Sequence, residues 1–157
     1  MKLGSILIFC VLFTACIFNY PSDGILEQRF HSNKAEFDKL ITMLKEDRDI
    51  VTLGFNYVFY KDESSRELSE ERLNEYRKLF KELNLNSGIY RDNESSVRLI
   101  IFEKGWLTNS EKSYLYSSIK PSEIVNSLDE IIKNDAGNHR AAYKKIQDNW
   151  YLYYESW

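Results

Sequence analysis

The residue types that carry acid–base, nucleophilic or metal chemistry are widely spaced in this sequence. The two histidines, His31 and His139, have no second histidine or cysteine at a spacing typical of a metal site. The sequence has no HExxH motif, no CxxC motif, no nucleophile elbow and no phosphate-binding glycine loop. We therefore predict no catalytic residue, no metal and no cofactor. The alternative is an enzyme whose site is assembled from scattered carboxylates and a histidine.

Both cysteines, Cys10 and Cys16, lie close to the N-terminus, so the remaining chain contains no disulfide. Lys2 is followed by an uncharged apolar stretch of about 13 residues, 3–15. A transmembrane helix needs about 20 apolar residues. The stretch is therefore typical of a signal peptide rather than of a membrane span.

The sequence Phe13-Thr14-Ala15-Cys16 resembles the lipobox of bacterial lipoproteins, although leucine is commoner at the first position. The resemblance implies that Cys16 becomes the mature N-terminus and carries a diacylglycerol, usually with a third acyl chain such as palmitate. Two or three acyl chains anchor a protein stably. An aspartate directly after the lipidated cysteine resembles an inner-membrane retention signal, but this position is Ile17. In a host with an outer membrane, we therefore expect the protein on the periplasmic side of that membrane. The alternative is a buried cysteine in an uncleaved apolar anchor.

The composition indicates one folded domain behind this leader. Of 157 residues, 43% are hydrophobic and 29% charged, the balance of a globular protein. The net charge of −3 argues against a nucleic-acid partner. We predict a signal peptide at 1–15, a lipidated cysteine and tether at 16–31, and a single globular domain at 32–157.

Apolar spacing predicts an α+β domain, with an antiparallel sheet of about five to six strands and about three helices mainly on one face. The predicted helices begin at Asn33 (with Glu36 completing a capping box), at Ser69 and at Pro121, and Asn84 ends the second helix. The predicted strands cover 51–60, 87–90, 97–102, 113–117, 142–146 and 150–155.

The C-terminal segment, 150–157, is unusually aromatic. Alternation along a strand places Trp150, Leu152 and Tyr154 on one face, which we expect to pack on the helices. The other face carries a second set of rings, predicted as a binding surface for a protein, a glycan or a lipid headgroup: Tyr151, Tyr153 and Trp157. The alternative is a sheet covered on both sides, for instance by the N-terminal helix.

Several short motifs in one order resemble a family of small bacterial lipoproteins. They are Arg72-x-x-x-Tyr76 with Leu79-Phe80, Ser87-Gly88-Ile89, Tyr114-x-Tyr116, Ser127-Leu128-Asp129 and Trp150-Tyr151-Leu152-Tyr153-Tyr154. The family often has tryptophan in place of Leu73 and glycine in place of Ser113. It has no established activity, so the resemblance implies location and fold but no catalytic residue. We predict a non-enzymatic envelope lipoprotein, an assembly factor or an immunity-type protein.

Overall fold

One antiparallel sheet is the framework of the fold. The computed structural model describes residues 20–62, 64, 67–104, 109–135 and 139–157. Within these ranges the chain forms four helices and seven strands. Their order is α1 (Asp23–Ser32), α2 (Lys34–Glu46), β1 (Ile50–Leu53), β2 (Val58–Tyr60), α3 (Glu70–Glu82), β3 (Gly88–Asn93), β4 (Ser96–Lys104), β5 (Ser110–Ser117), α4 (Leu128–Lys133), β6 (Arg140–Gln147) and β7 (Trp150–Ser156).

The strands lie in the order β2-β1-β3-β4-β5-β7-β6, and every neighbouring pair is antiparallel. The predicted α+β class is confirmed. The sheet has one strand more than the upper prediction because the segment 51–60 is a hairpin rather than one strand. Its turn is closed by the Gly54 N–H, which donates to the Tyr57 carbonyl at 2.9 Å. A Cβ on Gly54 would lie 2.5 Å from the Tyr57 ring, so the ring of Tyr57 packs directly against the Gly54 backbone.

The helices pack on one face of the sheet around an aromatic core. Phe30 of α1 and Phe37 of α2 contact Trp150, with ring centroids 5.1 and 5.4 Å apart. The ring of the buried Tyr114 packs on Phe37, and its hydroxyl donates to the Leu26 carbonyl at 2.9 Å. Each large ring therefore has apolar neighbours, and the buried phenol also has its polar partner.

The predicted tether is wrong for residues 23–31, because α1 belongs to the folded domain. Ser22 caps α1 by accepting from the Ile25 N–H at 3.4 Å, and Leu26 and Phe30 are fully buried. Helix α2 is confirmed, but its predicted capping box does not form. The Asn33 side chain donates instead to the Arg29 carbonyl at 2.8 Å and so ends α1.

Helix α3 agrees with the prediction. Ser69 Oγ accepts from the Arg72 N–H at 3.2 Å, and Asn84 has a left-handed φ of 54°. The third predicted helix is wrong over 121–127, because α4 begins only at Leu128. Upstream of it, the backbone of Val125 pairs with the edge strand β6, donating to the Tyr143 carbonyl at 2.7 Å. Among the helices described, none has the length and apolarity to span a bilayer.

Candidate functional site

The face of the sheet opposite the helices, here called the second face, carries the predicted binding residues. As predicted, Trp150, Leu152 and Tyr154 lie in the helix-side core, and Tyr151 and Tyr153 point the other way. The exposed fractions are 2% for Tyr151 and 6% for Tyr153, against 51% for Trp157. Of the three predicted binding residues, Trp157 is therefore the one that presents an exposed ring.

Neighbouring side chains on the second face cover the two buried tyrosines. The Lys145 ammonium group lies 5.5 Å from the centre of the Tyr151 ring. The Tyr143 ring and the Arg98 guanidinium lie 5.0 and 5.5 Å from the centre of the Tyr153 ring. Tyr151 and Tyr153 form a small second core with Leu115, so neither presents an exposed ring on this face.

Among the described residues, three further rings on the second face are exposed, and they were not predicted from the sequence. They are Tyr57, Phe59 and Tyr90. Tyr57 and Phe59 contact each other with centroids 5.6 Å apart, and Phe59 and Tyr90 both lie opposite Thr52 in the sheet. The alternation of 51–60 grouped Tyr57 and Phe59 with the buried Leu53; the hairpin, which was not recognised, places them on the opposite face. With Trp157 these rings form an exposed aromatic surface.

A groove of about 370 Å³ lies on the second face, with Tyr57, Tyr90 and Trp157 among the residues that line it. Its charged lining comes from β4, β5 and β7 and consists of Arg98, Glu103, Glu111 and Glu155. The groove therefore combines exposed aromatic rings with an excess of negative charge. This combination suits the recognition of another molecule.

The three glutamates of the groove form a row across adjacent strands. Glu103 of β4 lies directly opposite Glu111 of β5, which lies directly opposite Glu155 of β7. Like charges in directly opposed positions destabilise a sheet. Arg98 partly compensates for them, with Nη1 3.0 Å from Glu111 and 3.6 Å from Glu155. It also contacts the carboxylate of Asp92 at 2.9 Å, so one guanidinium is shared among several carboxylates.

The environment of Glu111 makes its carboxylate costly to keep charged. Burial raises the pKa of Glu111, and the charges of Glu103 and Asp92 add to that effect. The Arg98 guanidinium and the Ser113 hydroxyl act in the opposite direction. Glu111 Oε1 is buried and has no hydrogen-bond partner of normal geometry. A buried carboxylate oxygen without a donor is unfavourable, so this atom is a natural acceptor for an incoming donor.

A second charged cluster lies on the helix side of the sheet, around Lys112. The side chain of Lys112 is fully buried, and its Nζ lies 2.8 Å from Asp23 Oδ1 and 2.8 Å from Asp129 Oδ1. Nζ also donates to the Pro21 carbonyl at 2.9 Å. Because all its partners belong to the starts of α1 and α4, the cluster fastens both helices to β5.

A third cluster joins α2 to α3 through the Arg-x-x-x-Tyr motif. Arg72 Nε and the Tyr76 hydroxyl both donate to Asp47 Oδ2, at 2.8 and 2.7 Å. Arg72 also pairs with Glu46 at 2.6 Å. These residues adjoin a depression of about 660 Å³. The charges of Arg72, Glu46 and Asp47 are paired with one another. We therefore interpret the Arg-x-x-x-Tyr motif as a structural contact between α2 and α3.

The histidines do not form a site. His31 is exposed at the end of α1, where its ring contacts Phe30. His139 is exposed before β6, with Nδ1 3.1 Å from the Ser156 carbonyl oxygen. Within the part of the chain that the structure describes, no three histidine, cysteine or carboxylate side chains are placed to hold a metal ion. Cys16 lies outside the described residues.

Comparison with known proteins gives no match to this chain among family models, curated proteins or solved structures. Function has therefore to be inferred from the second face itself.

Proposed function

We propose that this chain is a bacterial envelope lipoprotein, anchored through lipid on Cys16, whose second face binds a protein partner. It acts as a non-enzymatic binding module, as an assembly factor or an immunity-type protein does. The observation that carries the proposal is the exposed aromatic surface beside the groove. Exposed rings gathered at one site are a feature of interfaces, because they bury large areas with little loss of conformational freedom.

The position of the proposed anchor is compatible with this role. Six residues lie between Cys16 and Asp23, where α1 begins, so the seven steps from residue to residue span at most about 25 Å. The Tyr20 ring packs on Phe102 and Tyr154, with centroids 4.8 and 5.7 Å apart. The chain thus enters the fold on the helix side of the sheet. In the part of the chain that the structure describes, no helix residue belongs to the small core of the second face, and we propose that this face meets its partner close to the membrane.

Paired alanine variants test the binding role. We expect Tyr57→Ala with Trp157→Ala to keep the thermal stability of the parent chain, because both rings are exposed. The same variant should fail to capture from an envelope extract the protein that the parent captures, with the protein identified by mass spectrometry. The matched control is Ile25→Ala with His31→Ala, two exposed residues of α1 on the helix side of the sheet. Equal capture by the parent and both paired variants would contradict the proposal.

A further inference from the structure

We propose that the partner inserts a cationic side chain, arginine or lysine, into the groove of the second face, where the glutamate row binds it. The glutamate row consists of Glu103, Glu111 and Glu155. This inference rests on the function proposed above and specifies the chemistry of the partner.

The first step is the charge balance of the groove. Its lining contains three glutamates and one arginine, so it is negative by two charges when all are ionised. Glu103 accepts a hydrogen bond from the Ser87 hydroxyl at 2.8 Å. Among the side chains that the structure describes, no cation lies within 4.0 Å of Glu103. Three like charges in one register are unfavourable in the free protein, and an added positive charge relieves that repulsion.

The second step is the buried carboxylate of Glu111, which the Ser113 hydroxyl stabilises only incompletely. The Glu111 side chain is 4% exposed, lines the groove, and uses Oε2 for Arg98. Its Oε1 has no partner of normal geometry. An incoming N–H donor would satisfy this oxygen, and a charged donor makes the stronger bond. A cation therefore gains from the groove both a compensating charge and a hydrogen-bond acceptor.

The third step is the arrangement of the rings. The Arg98 guanidinium already lies 4.8 Å from the centre of the Tyr90 ring and 5.5 Å from that of Tyr153. The second face thus holds one guanidinium by stacking it on rings beside carboxylates. The exposed rings of Tyr57 and Trp157 line the same groove and offer an incoming cation the same contact. A bare metal ion gains less from rings, so the rings favour a side chain as the occupant.

The test measures the binding of a labelled peptide to the full-length chain purified in detergent. The probe is a fluorescein-labelled peptide with two arginines in a Gly/Ser sequence. The control peptide has citrulline at both positions, which keeps the planar shape and part of the N–H groups but replaces one nitrogen by oxygen and removes the charge. We expect the arginine peptide to bind in low salt, to weaken as salt rises, and to bind about tenfold more tightly than the citrulline peptide.

Matched protein variants place the binding in the groove. Glu103→Gln with Glu155→Gln should weaken the arginine peptide about tenfold without lowering the melting temperature, because like-charge repulsion is removed. Glu71→Gln with Glu130→Gln makes the same change in net charge on exposed helix positions, and should leave the affinity unchanged. A merely structural role for the glutamate row predicts the opposite, a lower melting temperature for the first pair.

The outcomes separate this inference from the proposed function. The inference is wrong if the arginine peptide fails to bind, if citrulline binds equally well, or if both glutamine pairs weaken binding alike. It is also wrong if calcium chloride at equal ionic strength displaces the peptide where sodium chloride does not, because the glutamates then form a metal site. In each of these cases, capture that depends on Tyr57 and Trp157 would still support a partner of other chemistry.

Discussion

Replacing Lys112 by methionine should lower the free energy of unfolding by about 3 kcal/mol. Lys112 is fully buried, and the side chain of Asp23, 2.8 Å away, is 4% exposed. Breaking a buried ion pair by removing one partner costs about 3–5 kcal/mol. The lower end applies here because Asp23 keeps the Leu128 N–H at 2.8 Å, and Asp129 is exposed enough to be hydrated. For a domain of this size the change corresponds to a fall in melting temperature of about 6–12 °C.

The pH dependence gives this prediction a second readout. Burial raises the pKa of Asp23, but the Lys112 ammonium, with smaller help from the Leu128 N–H and Lys144, holds the pKa below its ordinary value of 3.8. The stabilisation is therefore present above that pH and is lost as the pH falls through the lower pKa of the folded state. Without Lys112, burial should raise the pKa of Asp23 relative to the parent chain. As the pH falls, Asp23 of the variant is therefore protonated before Asp23 of the parent, and its buried charge is removed. The difference in stability between parent and variant should narrow as the pH falls from about 7 to about 4.

Urea melts at several pH values measure both effects, with Lys144→Met as the matched control. Lys144 lies farther from Asp23, at 3.5 Å, and is partly exposed, so its loss should cost about 1 kcal/mol or less. Adding Asp23→Asn to Lys112→Met should recover part of the lost stability, since no uncompensated charge then stays buried. Equal stability of Lys112→Met and the parent chain at pH 7 would refute the reasoning.

Three further predictions concern stability and anchoring. Leu79→Ala should lower the free energy of unfolding by about 2–5 kcal/mol and Lys78→Ala by no more than about 0.5 kcal/mol, because Leu79 is buried and Lys78 is exposed. Urea melts that rank the two variants in the opposite order would show that the α3 packing is wrong. Tyr153→Ala should lower the free energy of unfolding by about 3 kcal/mol, because the Tyr153 ring is buried, while Trp157→Ala should change it by less than about 0.5 kcal/mol, because the Trp157 ring is exposed. Matching melting curves for the two variants would show that Tyr153 is not part of a second core. Cys16→Ala should abolish labelling by a fatty-acid probe and leave uncleaved precursor, whereas labelling as strong as in the parent would remove the proposed anchor.

Features set by local rules could be predicted from the sequence. Ser69 and Asn84 bound α3 because a cap and a left-handed terminator act within a few residues of the chain. The burial of Trp150 and Leu152 follows from strand alternation, another local rule. Ser22 obeys the same capping rule at α1, but the turn-forming residues around it, with Gly24 in the first helical turn, favoured a loop interpretation.

Features set by contacts between distant segments could not be predicted. The burial of Tyr151 depends on Lys145 across the hairpin, and that of Tyr153 depends partly on Arg98, two strands away. The glutamate row depends on an irregularity in β4 between Ile100 and Phe102, which shifts the register so that Glu103 lies opposite Glu111. A one-residue shift of this kind leaves no signal in the hydrophobic pattern, so the candidate groove became visible only in the structure.

The binding role of the second face is tested most directly by photocrosslinking in cells. A photoreactive amino acid is placed at Trp157 or Tyr57, and in matched chains at Ile25 or His31, which are also exposed but belong to α1 on the helix side of the sheet. We predict one protein adduct of defined mass from the Trp157 and Tyr57 positions and none from the other two. Adducts from Ile25 and His31 alone, or no adduct from either position beside the groove, would contradict a binding role for the second face.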